Sequence, residues 1–300
     1  MSLKILQFGT SGQLARELLS RQPAGVSVKA LSRAEVDLAD AAAVGRAITA
    51  ERDVDLVLNA AAYTAVDKAE SEPDLAYAVN ARAPEAMARA CATRDVPLVH
   101  VSTDMVFSGA KPGAYVEDDP VGPLHVYGAS KLAGEEAVLA YAPRSSVMRV
   151  SWLFSPYGAN FLHLMLRLAE SQPVLKVVDD QRARPTSAGD VAAFILGQAE
   201  RLARAPVGAE DWGRLHVVNQ GAATRVEMAG EIFALAWPDR PAPAIEPVPT
   251  SAFPAAARRA LNTELDGGRL ERVFGAPLRP WRAALAEVIA ELRPQSRAVA

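Results

Sequence analysis

The first 150 residues alternate short apolar runs with helical patterns, and this alternation leaves few folds open. Leu3 to Phe8, Val26 to Leu31, Leu56 to Asn59, Pro97 to Ser102 and Ser146 to Val150 read as strands. Between them, Gln13 to Arg21, Ala41 to Glu51, Leu75 to Thr93 and Tyr127 to Tyr141 read as helices. Pro73 suits the first turn of the third helix, and Pro84 is expected to kink or divide it. Strands joined through helices form right-handed crossovers and a parallel sheet. Helices on both faces explain why the strands are almost continuously apolar. The expected class is α/β, with a doubly wound parallel sheet.

The pattern weakens after about residue 151. Val174–Val178 and His216–Val218 read as short strands, and Val191–Leu202, Val226–Ala236 and Trp281–Leu292 as helices. Residues 238 to 254 are rich in proline and read as a loop. A chain of 300 residues holds one large core or two modest lobes. The expected division is a nucleotide-binding domain over 1–150, also taking in about 186–218. The remainder of 151–300 forms a smaller α/β substrate lobe laid over the carboxyl ends of the strands.

Composition narrows the partners. The net charge of -3 gives no reason to expect nucleic acid or an anionic membrane surface. The single cysteine, Cys91, rules out an internal disulfide and reads as a small buried apolar residue. The apolar run at the start is short and ends in Gly9, unlike a signal peptide. No stretch approaches the ~20 apolar residues that span a bilayer. A cytoplasmic location is expected. The histidines, His100, His125, His163 and His216, show no metal-ligand spacing, so no metal site is assigned.

Gly9-Thr10-Ser11-Gly12-Gln13-Leu14-Ala15 follows the first strand and opens the first helix. One glycine permits the tight turn and the next lets the backbone approach a pyrophosphate. The helix N-terminus offers free N–H groups and positive dipole, and Ala15 allows close packing on the sheet. At the end of the second strand stand Ser32 and Arg33 in place of an acidic residue. They suit a ribose 2′-phosphate, so NADPH is favoured over NADH, which stays open. Asp37 is near enough to reach the adenine side.

Tyr127-Gly-Ala-Ser-Lys131 puts a phenol and an ammonium on one face of a helix. Six tyrosines and six lysines produce this spacing by chance in roughly one such chain in eight. Position adds weight. The preceding strand ends in Ser102-Thr103-Asp104, at the edge where open α/β sheets bind ligands. An ammonium beside the phenol is expected to lower its pKa towards the operating range of a general acid.

These segments resemble the extended short-chain dehydrogenase/reductases, and within them the dTDP-4-dehydrorhamnose reductases. The resemblance runs almost end to end. It includes Gly9-x-x-Gly12-Gln13-Leu14, Asn59-Ala-Ala-Ala-Tyr63-Thr64-Ala-Val-Asp67-Lys68-Ala-Glu70 and Val79-Asn80. It continues through Ser102-Thr103-Asp104, Tyr127-Gly-x-x-Lys131, Arg149-x-Ser-Trp152, Asp180-Gln181-x-x-x-Pro185-Thr186 and Leu261-Asn262-Thr263. It implies a Rossmann-type fold and hydride transfer to the C4 carbonyl of dTDP-4-dehydro-L-rhamnose, a step of dTDP-rhamnose and cell-surface polysaccharide biosynthesis. Tyr127 would protonate the alkoxide, Lys131 would lower the pKa of Tyr127 and bind the nicotinamide ribose, and Thr103 would orient the carbonyl. Gly9, Ser11, Gly12, Gln13, Leu14, Ser32, Arg33, Asp37, Leu38, Ala61, Ala62, Tyr63, Thr64 and Asn80 would line the cofactor site with Tyr127 and Lys131. Thr103, Asp104 and Trp152 would face the nucleotide-sugar substrate. Arg258 and Arg259, by their own charge, suit its diphosphate or stand as solvated surface charges.

Some positions depart from the family pattern. Met105 replaces a tyrosine, Arg182-Ala183-Arg184 replaces a spacer that usually contains glycine, and the segment before Leu261 is shortened. They leave the sugar nucleotide open. Other readings are a reductase, epimerase or dehydratase on another nucleotide sugar, and a non-catalytic NADP-binding regulatory subunit. Some relatives use magnesium at a dimer interface. A homodimer and magnesium therefore both stay open.

Overall fold

The computed structural model describes residues 2–239 and 241–293. The chain end at 294–300 and Arg240, both inside stretches read above, lie outside the described residues. The first half runs β1 (Leu3–Phe8), α1 (Gln13–Ser20), β2 (Val26–Leu31), α2 (Ala41–Ala50), β3 (Leu56–Asn59), α3 (Val66–Ala69), α4 (Pro73–Tyr77), α5 (Ala83–Arg94), β4 (Leu98–Thr103), α6 (Val126–Tyr141) and β5 (Ser145–Val150). The second half runs β6 (Leu153–Phe154), α7 (Phe161–Ala169), β7 (Val174–Val178), β8 (Arg182–Ala183), β9 (Thr186–Ser187), α8 (Ala188–Arg204), β10 (Gly213–His216), β11 (Ala223–Thr224), α9 (Arg225–Ala236), β12 (Ala244–Val248), α10 (Gly268–Phe274) and α11 (Trp281–Leu292).

One parallel sheet carries the order β10-β5-β4-β3-β1-β2. The chain leaves β1 in one direction to β2 and returns on its other side at β3. That reversal opens a crevice beyond the carboxyl ends of the strands. Alternate strand residues enter opposite cores, as a pleat requires. Ile5, Leu56, Leu58 and Val99 pack with α1 and α8. Leu6, Val57, Leu98 and Val147 pack with α2, α5 and α6, and Cys91 lies in this second core. Burial pushes the Cys91 thiol up to about 12, so it behaves as an apolar side chain. A third core joins α7, α9 and α11 around Phe154, Phe233 and Trp281. No helix among the described residues is long and apolar enough to cross a membrane.

Several features differ from the sequence expectation, and one refines it. The strand expected to begin at His216 ends there, as β10, and α10 was not among the expected helices. The proline-rich stretch contains β12, which pairs in parallel with β7 and places Pro247 opposite Val177. The ribbon has only two strands, and a strand edge tolerates the missing proline N–H. Helix α7 was not expected, although its buried Leu162 and Met165 stand three residues apart and the Asn160 side chain accepts the His163 N–H to cap it. The division expected near Pro84 is a π-helical turn at Ala78–Arg82 that leads into α5 with proline in its first turn.

Candidate active site

A cleft of about 1080 Å³ runs along the carboxyl ends of the strands. At one end, Gly9 adopts φ +98°, and a Cβ there would stand 3.0 Å from the Ala61 Cβ. Gly12 precedes α1 in extended conformation with no side chain capping the helix. The N-terminus of α1 therefore faces the cleft with free N–H groups. Gly9, Ser11, Gly12, Gln13 and Leu14 all line the cleft. The Gln13 carboxamide oxygen accepts from Ser155 Oγ and Asn160 Nδ2, each at 3.0 Å, tying the turn to the second half of the chain.

Arg33, Asp37, Leu38, Ala61, Ala62, Tyr63 and Thr64 line the same cleft, and Ser32 does not. The Ser32 hydroxyl and N–H donate to one Glu35 oxygen at 2.7 and 2.8 Å. These bonds hold the Glu35 carboxyl below its usual range. Arg33 is exposed, 3.6 Å from Asp37, and remains the cation at this corner. Asn80 also stands back from the cleft wall. Its oxygen accepts from the Tyr63 N–H at 2.9 Å, and its Nδ2 donates to Tyr63 O and Ser130 Oγ, each at 3.0 Å. It shapes the cofactor wall through those neighbours.

Tyr127, Lys131 and Thr103 meet in the middle of the cleft. A Cβ on Gly128 would lie 2.3 Å from the Met105 carbonyl, so only glycine lets α6 approach the turn after β4 this closely. That approach sets Tyr127 beside Thr103. Burial, aided by nearby Asp104, pushes the phenol up to about 12, while Thr103 acts in the other direction. Lys131 was expected to lower this pKa. Its Nζ turns instead to the Val101 carbonyl at 2.7 Å, and burial brings the amine down to about 8. The phenol holds its proton, the form a general acid needs.

The far end of the cleft is assembled from distant segments. Asp104 is buried and accepts from Ser151 Oγ at 2.9 Å, Thr263 Oγ1 at 2.7 Å and Thr103 Oγ1 at 3.1 Å. Burial raises its pKa, and the three hydroxyls oppose that rise. It works as an anchor between β4 and the second half. Trp152 adopts φ +41°, in the left-handed region. Its ring forms cleft wall, and the Arg225 guanidinium stacks on it at 3.5 Å.

Arg225 was not anticipated from the sequence. It opens α9, where Thr224 and Glu227 form a capping box. A cation in the first turn opposes the helix dipole, and that placement is the one signal that marks it. Among the described residues its guanidinium makes no hydrogen bond or ion pair. Burial lowers its pKa to about 10, with Asp104 nearby holding it charged. It lines both the cleft and an adjoining pocket bounded by Met105, His125, Gln181, Arg259 and Thr263.

Arg259 reaches that pocket, but Asp67 holds it at 2.8 Å. Arg258 is exposed and lines neither cavity. Arg182 and Arg184 pair with Glu264 at 3.1 and 3.5 Å, so the unusual spacer straps the chain near Thr263. Among the described residues, no three His, Cys, Asp or Glu side chains group as metal ligands.

Residues 3–294 match the family described as the RmlD substrate binding domain. The chain is 39% identical over 291 residues to a dTDP-4-dehydrorhamnose reductase of Sinorhizobium fredii, covering 96% of this chain and 97% of that one. A solved dTDP-4-dehydrorhamnose reductase of Bacillus anthracis, in complex with NADP, is similar at 31% identity and a TM-score of 0.88, over 97% of this chain and all of that one. A Streptomyces antibioticus protein, a probable dTDP-4,6-dihydroxy-2-methyloxan-3-one 4-ketoreductase, is 38% identical over 95% of this chain and 94% of its own.

Proposed function

The chain belongs to the family of dTDP-4-dehydrorhamnose reductases, and from that membership we propose that it reduces the C4 keto group of dTDP-4-dehydro-L-rhamnose to dTDP-L-rhamnose, with NADPH as reductant and Tyr127 as proton donor. The observation that carries the mechanism is the protonated, buried Tyr127 beside Thr103 at the centre of one continuous cleft.

The cleft suits a dinucleotide. Its Gly9 cradle would be filled by a Cβ, and the α1 N-terminus offers N–H groups to a pyrophosphate. Ser11 to Leu14 and Ala61 to Thr64 would hold the cofactor, and Arg33 would meet a 2′-phosphate. Bound NADPH supplies the hydride. Thr103 would turn its one hydroxyl proton from Asp104 to the substrate carbonyl and fix its orientation. Tyr127 gives its phenolic proton to the oxygen as that oxygen becomes an alkoxide. The Lys131 ammonium would hold the nicotinamide ribose and would act on the phenolate only once the proton has left, since its Nζ faces the Val101 carbonyl while the phenol is intact. Trp152 walls the sugar, and Arg225 offers its free guanidinium to the anionic part of the substrate.

The relative from Streptomyces antibioticus gives a second reading, a 4-ketoreductase on another deoxysugar nucleotide. Met105 and Arg225 line the substrate end, and they would set that choice.

The test is an assay following NADPH oxidation with dTDP-4-dehydro-L-rhamnose. Tyr127→Phe should lower kcat by about 10²–10⁴ and leave NADPH binding intact. Absence of turnover by the parent would remove the substrate assignment. An unimpaired Tyr127→Phe enzyme would remove the proton-donor assignment.

A further inference from the structure

Asn59 and His100 lie beneath the site on paired strands, register partners at the end of β3 and the middle of β4. The reaction just described gives neither a part. Both side chains are buried. Asn59 Oδ1 accepts the Ala61 N–H at 3.1 Å, which leaves Nδ2 at 3.0 Å from His100 Nδ1. An amide NH2 only donates, so Nδ1 must accept. Burial, with Lys131 alongside, holds His100 well below its usual range. The imidazole is therefore neutral, and its one proton sits on Nε2.

His100 Nε2 is 3.4 Å from Lys131 Nζ. A lysine ammonium has three donors and no acceptor. While Lys131 is charged, one N–H faces another. Only the neutral amine has a lone pair to receive the Nε2–H.

We propose that Asn59 and His100 are positioning residues for Lys131: Asn59 fixes the imidazole tautomer, and the Nε2–H so presented disfavours the charged form of Lys131. This rests on the reading of Lys131 as the charged partner of Tyr127. Other groups around Lys131 leave this effect exposed. Glu135, one turn along α6, favours the ammonium, but its carboxylate is bound to Arg149 of β5 at 2.7 Å. The Val101 carbonyl of β4 also accepts from the ammonium. Ser130 on α6 and Asn80 in the π turn are neutral. Asp104, beyond β4, acts on Tyr127. The consequence is a reductase that loses activity as pH rises through about 8, where Lys131 loses its charge.

Nitrogen-15 NMR of histidine-labelled full chain reads the tautomer without turnover, so failure of this inference is visible separately from failure of the reductase reading. His100→Gln identifies the His100 signal by its disappearance. The expected signal is that of an Nε2–H imidazole throughout the neutral range, and a proton on Nδ1 overturns the proposal.

The pH profile of kcat/KM gives the second readout. Asn59→Asp retains an acceptor for the Ala61 N–H and demands a proton on Nδ1. Nε2 then becomes an acceptor for the ammonium, and the alkaline limb should rise by about one pH unit, a tenfold change in proton activity. Asn59→Ser introduces no buried charge, frees the tautomer and should shift the limb the same way by less. His100→Gln can accept from Asn59 and still present an N–H, so it should keep the parent limb. Residues that serve only to hold the strands would change kcat or stability and leave the limb in place. An unmoved limb in both Asn59 variants therefore overturns the proposal.

Discussion

The two ends of the cleft are built on different plans. At the cofactor end, much of the wall is runs of neighbours in the chain: residues 9–14, then Arg33 with Val36 to Leu38, then Ala60 to Thr64, each just past the end of one strand. At the substrate end, Met105, Trp152, Arg225 and Arg259 come from separate elements and are brought together by packing. Asp104 fastens that assembly through Ser151 and Thr263. Strand ends supply most of the cofactor site wherever this sheet forms, with Asn160 of the second half bracing Gln13. The sugar site exists only when the second half has docked, so it is the part free to vary in specificity.

This contrast predicts variants that damage one end and spare the other. The largest effect belongs to Gly9→Val. It combines a left-handed backbone with a side chain driven at Ala61. Strain of about 1–3 kcal/mol and the lost approach of a pyrophosphate should weaken NADPH binding by about a hundredfold or more, read by fluorescence titration. Next is Arg225→Met. Loss of charge-assisted hydrogen bonds worth about 1.5–3 kcal/mol should raise the KM for the nucleotide sugar by about tenfold to a hundredfold. The NADPH dissociation constant should stay at its parent value. Equal weakening of both ligands would show that the ends are not independent. The smallest effect is Arg33→Ala. This arginine is exposed and shared with Asp37, so NADPH should weaken only by about threefold to tenfold, near 1 kcal/mol. NADH should be unchanged, which a ratio of kcat/KM values for the two cofactors measures.

The same contrast explains what was legible in the sequence. Gly9, Gly12, Tyr63 and Thr64 could be read because strand, turn and helix signals adjoin them. Tyr127, Lys131 and Thr103 could be read because they sit on consecutive elements. Ser32 was misjudged at short range: its hydroxyl was visible, but not its capture by Glu35 three residues on. Lys131 was placed correctly as a neighbour of Tyr127 along the helix. The direction of its Nζ depends on Val101 and His100 of another strand, which helical spacing does not encode. Arg225 was out of reach because its meaning comes from stacking on Trp152, a contact set by tertiary packing. In the fold itself, β12 was masked by prolines, α7 was missed although its buried residues recur at helical spacing, and both lie in the half that lacks alternation.

The left-handed backbone at Trp152 places function against durability. A residue with a Cβ held in that region costs about 1–2 kcal/mol relative to one free to leave it, and glycine would relieve it. The indole also packs against the third core and carries the Arg225 guanidinium, so glycine here would relieve the backbone and forfeit both contacts. Such a chain would keep its grip on the nucleotide cofactor and lose its hold on the sugar.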